Sequence, residues 1–169
     1  LDFARPRIAE FVRTDIKEII EKTLDLLSRR LDTEKVKAKN DVKADIPDIH
    51  ADPQQLQQVL LNLCSNALDA MPGGGILNIC AELSSSESVA LIVSDTGFGI
   101  DADDLSKIFQ PFFSGRKRRG LGLGLAICDR IIKAHGGSIG VESRAGEGTR
   151  FTIHLPVKRG DPSETPASV

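Results

Sequence analysis

Three carboxamide side chains are spaced along one predicted helix. Gln58, Asn62 and Asn66 are four residues apart in turn, so in a helix they share one face. The neighbouring face is apolar and is formed by Leu56, Val59, Leu60, Leu63 and Ala67. Amides bordering an apolar face are costly unless they find partners. Either they cap neighbouring backbone groups, or their oxygens bind a hard cation and phosphate oxygens, because such cations prefer oxygen ligands.

A second polar position follows an apolar run in "VALIVSDTGFGI". Asp95 ends the run and precedes Gly97 and Gly99. A carboxylate at the end of a buried strand can accept a hydrogen bond from an exocyclic amine, which would distinguish adenine from guanine, while glycines let a ligand approach the backbone closely. Asp-Thr-Gly is also a common turn, so the pattern alone leaves both interpretations open.

A basic run stands directly before a third helix. Four consecutive residues, 116–119 (RKRR), are cationic, and Gly120, Gly122 and Gly124 follow. The exposed amides of a helix N-terminus form an anion site, and basic side chains add charge where phosphates arrive. A solvated loop is the alternative, but the adjoining glycines and helix favour phosphate contact.

The bulk composition limits the class of protein. The 169 residues suit one domain, and 40% apolar with 27% charged residues is typical of a globular protein. A net charge of −2 gives no general attraction to nucleic acid. No apolar run reaches transmembrane length, and no signal peptide is visible. Cys64, Cys80 and Cys128 lack metal-ligand spacing and are predicted to be small buried hydrophobes.

Helices and strands alternate along the chain. Apolar spacing predicts helices over 14–31, from Pro53 to near Met71, and over 122–135. Strands are predicted at "KVKAKNDV", "ILNICAEL", "VALIVSD", "SIGVES" and "TRFTIHLP", and the polar tail at 158–169 is predicted to be disordered. The class is therefore α/β or α+β, built around one sheet.

Four motifs in order give the chain a family resemblance. "DPQQLQQVLLNLCSNALDA" looks like an N box, "DTGFGI" a G1 box, "IFQPFF" an F box and "GLGLGLAI" a G2 box. Over roughly 10–157 the sequence resembles the ATP-binding catalytic domain of sensor histidine kinases, in the superfamily that also holds gyrase, the Hsp90 chaperones and MutL. The resemblance implies a two-layer sandwich, with a mixed, mainly antiparallel sheet of about five strands and three helices on one face.

The resemblance also assigns roles to residues. Asp95 would bind the adenine amino group, Asn66 and Asn62 would hold Mg²⁺ bridged to the triphosphate of ATP, and Arg116 would neutralise phosphate charge. Residues 100–121 would form the ATP lid, with Phe109, Phe112 and Phe113 as apolar anchors. The complete implied nucleotide set is Asn62, Asn66, Asp69, Asp95, Gly97, Gly99, Ile100, Phe113, Arg116, Lys117, Gly120, Leu121, Gly122, Leu123, Gly124 and Thr149.

Two departures from the family pattern bear on activity. Hydrolytic relatives carry a glutamate four residues before the metal-binding asparagine; here Asn62 stands there and cannot act as a general base. We expect poor ATP hydrolysis, which fits a kinase better than a gyrase-like ATPase. None of His50, His135 and His154 has the His-Glu or His-Asp context of a phosphoacceptor, so we expect that histidine to lie upstream.

The resemblance implies partners as well. Residues 1–9 would end an upstream dimerisation and phosphotransfer hairpin, and a response regulator receiver domain would accept the phosphoryl group. We expect a cytoplasmic domain that is monomeric alone and homodimeric at full length, whether that protein is soluble or membrane-anchored. Two alternatives stay open: a serine kinase of the anti-sigma-factor type, and a degenerate nucleotide-binding module that regulates a partner.

Overall fold

The computed structural model describes residues 9–113 and 121–158. The predicted upstream segment (1–9) and tail (158–169) lie outside these ranges except for Ala9 and Lys158. The helices are α1 (Ile16–Thr33), α2 (Pro53–Asp69), α3 (Ala102–Leu105) and α4 (Gly124–Ala134). The strands are β1 (Val12–Thr14), β2 (Val36–Val42), β3 (Ile49–Ala51), β4 (Gly75–Ser85), β5 (Ser88–Asp95), β6 (Ser138–Arg144) and β7 (Gly148–Pro156).

The main sheet has five strands in the order β2-β4-β5-β7-β6. Only β2 and β4 pair in parallel, and the other three pairings are antiparallel. The predicted mixed, mainly antiparallel sheet of five strands is therefore confirmed. Two features were not predicted: β1 pairs with β3 in a separate two-stranded sheet, and the four-residue α3 makes a fourth helix in the described part of the chain. Both elements are too short for a periodic pattern to reveal.

The core lies between one face of the sheet and the long helices. Helix α2 packs on β4 and β5, α4 packs on β6 and on α2, and α1 packs on β2 and on α2. Large side chains from both layers are fully buried there: Ile20, Leu60, Leu63, Leu77, Ile79, Leu91, Ile132 and Ile153. Burial of each such side chain contributes about 1.5–3 kcal/mol, so this layer contact holds the helices in place.

The cysteines divide between the core and the opposite face of the sheet. Cys64 and Cys128 are fully buried, and burial raises the pKa of Cys64 to about 12 and that of Cys128 to about 11. These thiols stay protonated at neutral pH, as the prediction of small buried hydrophobes requires. Cys80 is only half-buried, because it lies on the opposite face of β4 from the buried Ile79 and Ala81, so for it the prediction of a buried side chain is wrong.

Asp52 joins three segments at the start of α2. Its Oδ1 accepts hydrogen bonds from the Gln54 and Gln55 amides at 2.9 and 3.1 Å, and its Oδ2 accepts one from the Glu10 amide at 2.9 Å. Its own amide donates to Nε2 of the buried His135 at 3.0 Å, just after α4. The Asp52 side chain therefore caps α2 and also fixes the chain that enters the domain.

We expect Asp52→Ala to lower the free energy of unfolding by about 2 kcal/mol, because it removes a helix cap and leaves the Glu10 amide without that acceptor. Asp15→Ala is the matched control: Asp15 caps α1 with one exposed hydrogen bond, to the Lys17 amide at 2.8 Å. Its loss should be about 0.5–1 kcal/mol. Urea denaturation of both variants measures the difference, and equal losses would contradict the joining role of Asp52.

Candidate nucleotide-binding site

The three carboxamides lie along α2 as predicted. Gln58 is exposed, and Asn62 and Asn66 are half-buried nearer the end of the helix. Asn62 Nδ2 donates to the Gly124 carbonyl oxygen at 3.4 Å, which ties α2 to the N-terminus of α4. Within residues 9–113 and 121–158, no hydrogen bond joins the Asn66 side chain to another group. Asn62 thus has a structural partner, whereas Asn66 presents a partly buried amide that suits a ligand.

Asp95 is the last residue of β5. Its Oδ1 accepts a hydrogen bond from the Gly97 amide at 2.8 Å, which starts the turn after the strand. In the sheet it stands opposite Thr149 of β7 and Leu77 of β4, on the face that the helices cover. Both the turn and the strand-end carboxylate inferred from the sequence are therefore present.

The glycines around Asp95 are needed by the protein's own backbone. A Cβ at Gly97 would lie 2.5 Å from the Ala70 carbonyl oxygen, just beyond α2, and the Phe98 amide donates to that oxygen at 3.0 Å. Gly99 has φ +70°, and a Cβ there would overlap the Arg144 carbonyl oxygen. The sequence prediction gave these glycines a role toward ligand; the structure adds close packing of the 96–100 loop against two other segments.

A row of hydroxyls continues from Asp95 across the sheet. Thr149, 5% exposed, stands opposite Asp95 on one side and Ser143 on the other. Ser143 Oγ lies 2.9 Å from Thr149 Oγ1 and accepts a hydrogen bond from the Ile100 amide, also at 2.9 Å. The sequence motifs did not identify Ser143 as a site residue. The alternation of "SIGVES" nevertheless places its side chain on the same face as Ile139 and Val141.

The apolar lid anchors are only partly as predicted. Phe109 packs edge-to-face on Phe151 with ring centroids 6.4 Å apart, and Phe113 is half-buried against the core. Phe112 is 76% exposed, so its prediction as an anchor is wrong. Its backbone has φ +64° and its amide donates to the Gly122 carbonyl oxygen at 3.0 Å. This turn directs the Phe112 ring away from the core.

At this turn the middle of the predicted lid meets the residue that follows its C-terminal end. A Cβ at Gly122 would lie 2.6 Å from the Phe113 carbonyl oxygen, and Gly122 has φ +68°. Leu121 is 80% exposed, while Leu123 and Gly124 are half-buried where α4 begins. The N-cap residue of α4 is Leu123, and within residues 9–113 and 121–158 no side chain caps the helix, so its first amides suit an anion. Arg116, Lys117 and Gly120 lie outside the described residues.

Asp69, also predicted to contact nucleotide, has a partner within the protein. It is the last residue of α2, and its carboxylate forms an ion pair with Arg30 of α1. Arg30 also pairs with Glu34 at 2.6 Å. These contacts join the ends of α1 and α2, and the nucleotide contact of Asp69 stays a prediction.

Helix α2 brings the three predicted parts of the site together. Its C-terminal end touches the loop after Asp95, and Asn62 touches the start of α4. In the described part of the chain, no three His, Cys, Asp or Glu side chains are grouped to hold a metal. A hard cation near Asn66 would need oxygens from phosphate and water besides the amide oxygen, which is how Mg²⁺ binds with nucleotides. The residues present fit Mg-ATP.

This fold, a mixed five-stranded sheet covered by helices, defines a class of protein, the ATP-binding catalytic domains. The sequence pattern of the histidine kinase-, DNA gyrase B-, and HSP90-like ATPases matches residues 51–159, more than half of the chain. The chain belongs to this family, and the resemblance drawn from its motifs is confirmed.

Sensor histidine kinases are among the relatives of this chain. It is 38% identical to sensor histidine kinase ZraS of Escherichia coli (strain K12) over 164 residues, or 96% of this chain and 35% of ZraS. It is 36% identical to sporulation kinase E of Bacillus subtilis (strain 168) over 159 residues, or 94% of this chain and 21% of that protein. The chain spans well under half the length of these curated relatives.

Solved structures give the same assignment. The catalytic domain of histidine kinase ThkA superposes with a TM-score of 0.79 at 31% identity, covering 88% of this chain and 99% of that domain. ThkA in complex with the response regulator protein TrrA gives a TM-score of 0.78 at 28% identity, covering 95% of this chain and 45% of that chain. The chain has the fold of a histidine kinase catalytic domain.

None of the helices in its described part has the length and hydrophobicity that crossing a bilayer requires.

Proposed function

We propose that this domain binds Mg-ATP and transfers the γ-phosphoryl group to a histidine in a helical hairpin outside this sequence. The observation that carries the proposal is the position of α2, which contacts both the loop after Asp95 and the N-terminus of α4. An adenine group at Asp95 and a triphosphate at the start of α4 would then lie along one helix that also carries Asn66.

Each residue has a role in this proposal. Asp95 accepts a hydrogen bond from the adenine amine, the uncapped amides of α4 receive phosphate oxygens, and Asn66 ligates the cation through Oδ1. Bound Mg²⁺ would neutralise phosphate charge. The chain's own contribution is positioning and countercharge, the main means by which proteins accelerate phosphoryl transfer. Arg116 and Lys117 remain proposed phosphate contacts.

The choice of a kinase over a hydrolase depends on Asn62. Its amide binds the Gly124 carbonyl oxygen and has no basic group with which to activate water. Transfer to an acceptor supplied by another domain is therefore favoured over hydrolysis.

We also propose that a hairpin preceding this domain carries the histidine and the dimer contact, and that a response regulator, as in the solved ThkA complex, receives the phosphoryl group. An ATP-dependent domain of this kind would act in the cytoplasm.

Calorimetric titration of the chain with a non-hydrolysable ATP analogue, with and without Mg²⁺ and beside the matching GTP analogue, tests the proposal. We expect binding that prefers adenine and is tighter with Mg²⁺. Adding a histidine-bearing hairpin in trans with ATP should then yield phosphohistidine. Absence of nucleotide binding would contradict the proposal and favour a degenerate regulatory module, and phosphoserine on a partner would favour the serine kinase.

We expect Asn66→Ala to weaken binding of the ATP analogue about tenfold in Mg²⁺ and to leave binding in EDTA nearly unchanged, because it removes one cation ligand. Gln58→Ala is the matched control, since Gln58 lies on the same line of α2 but is exposed. It should behave as the unsubstituted chain does. Equal losses for Asn66→Ala with and without Mg²⁺ would contradict its role as a cation ligand.

A further inference from the structure

Three polar side chains form a row at one end of the main sheet. Ser143 of β6 stands opposite Thr149 of β7, which stands opposite Asp95 of β5. Directly opposed residues share one face, with Cβ atoms about 5 Å apart. Thr149 is therefore the cross-strand neighbour of the residue whose carboxylate we assign to the purine amine.

The hydrogen bonds of Ser143 determine where its single proton lies. Ser143 Oγ is 2.7 Å from the Gly148 carbonyl oxygen, which can only accept, so the Ser143 proton is directed there. The Ile100 amide donates to Ser143 Oγ at 2.9 Å. The remaining contact, 2.9 Å to Thr149 Oγ1, must then use the Thr149 proton.

This assignment fixes the chemistry of Thr149. With its proton held by Ser143, Thr149 Oγ1 has only lone pairs to offer a ligand at Asp95. Two acceptors next to each other suit an exocyclic amine, which has two protons. A purine with a 6-oxo group would place a third acceptor against them, and unmatched polar groups in a buried site are strongly disfavoured.

We propose that Ser143 is a positioning residue that sets purine specificity by holding the Thr149 hydroxyl as an acceptor toward the 6-position of the base. The inference rests on the proposed function, because it requires a purine at Asp95. Ser143 touches no ligand in this account and acts through Thr149. It also holds the Ile100 amide, where the predicted lid begins.

The test compares ADP with IDP, which differ at the 6-position of the base. Calorimetry on the chain should give tighter binding of ADP. Ser143→Ala should lower the ratio of IDP to ADP dissociation constants about tenfold, because Thr149 is then free to donate to the 6-oxo group. Loss of the Ile100 contact should weaken both nucleotides alike and so leave the ratio unaffected. An unchanged ratio in Ser143→Ala would overturn the inference.

A second pair of variants separates polarity from general structure. In a protein that already carries Thr149→Val, Ser143→Ala should leave the ratio of IDP to ADP dissociation constants unchanged, because residue 149 no longer has a hydroxyl whose proton Ser143 could hold. A further tenfold drop in that double variant would overturn the inference. Ser143→Thr, which keeps the hydroxyl, should restore the ratio of the unsubstituted chain. If Ser143→Ala fails to fold, two substitutions of Thr149 provide the test. Thr149→Ser, which keeps the hydroxyl, should keep the ratio of IDP to ADP dissociation constants, and Thr149→Val should lower it several-fold. Equal ratios for these two variants would overturn the inference.

Failure of the inference is distinguishable from failure of the proposed function. If the unsubstituted chain binds neither ADP nor IDP, the proposed function and this inference fall together. If the unsubstituted chain binds ADP tightly and Ser143→Ala leaves the ratio of IDP to ADP dissociation constants unchanged, only the inference is wrong.

Discussion

Asp95→Asn is expected to weaken binding of adenine nucleotides by about 1.5–3 kcal/mol, because it removes a charged hydrogen-bond acceptor. This corresponds to roughly tenfold to 150-fold in the dissociation constant. The replaced oxygen becomes an NH₂ group that faces the adenine amine, so a donor meets a donor. Calorimetry with ADP measures the change.

The fold should survive Asp95→Asn. The Asp95 side chain accepts a hydrogen bond from the Gly97 amide at 2.8 Å, and the amide oxygen of asparagine can accept the same bond. The turn after β5 is therefore retained, and thermal unfolding should be nearly unchanged. A loss of affinity accompanied by a large drop in the unfolding temperature would point to a damaged loop and not to a lost ligand contact.

Asp101→Asn is a matched control for Asp95→Asn. Asp101 is an exposed carboxylate six residues further on, and its side chain makes no capping hydrogen bond at α3. The same chemical change there should leave ADP affinity within about twofold, since exposed charges contribute little. If both variants lose affinity equally, the effect comes from net charge, and the adenine has been placed wrongly.

The helices that carry the site were predictable because their signals are local. Asp52 and Pro53 mark the start of α2, and the amides at 58, 62 and 66 repeat with the helical period. Likewise a continuous apolar run at 89–93, followed by Ser94 and Asp95, identifies a buried strand and its end. Where a residue's environment comes from its own neighbours along the chain, the sequence pattern is sufficient.

The residues that were missed owe their roles to distant segments. Ser143 looks like one polar residue among several in a strand, and only the pairing of β6 with β7, and of β7 with β5, places it in a row with Asp95. Phe112 reads as an anchor because it belongs to an aromatic motif, but its hydrogen bond to Gly122 turns it outward. Strand pairing and loop closure are set by tertiary contacts that a single sequence does not reveal.

Gly148→Ala is expected to lower the free energy of unfolding by about 3 kcal/mol. Gly148 has φ +102°, and a Cβ there would overlap the carbonyl oxygen of Asp95. Side chains disfavour this backbone region by about 1–3 kcal/mol, and the overlap with a neighbouring strand adds a cost that only backbone movement can relieve. Chemical denaturation of the two proteins measures the loss.

Gly146→Ala separates the two causes. Gly146 lies in the same turn with a similar φ of +82°, but a Cβ there would meet nothing within 4 Å. The Gly146→Ala variant should lose only the part of the free energy of unfolding that comes from the backbone conformation, about 1 kcal/mol. Equal losses at both positions would mean that the Asp95 contact is unimportant. Gly148 packs against the backbone of Asp95, and its carbonyl oxygen accepts the hydrogen bond from Ser143. We therefore expect Gly148→Ala to weaken ADP binding as well, because displacing this backbone moves the proposed adenine contacts. Gly146→Ala should not have this effect.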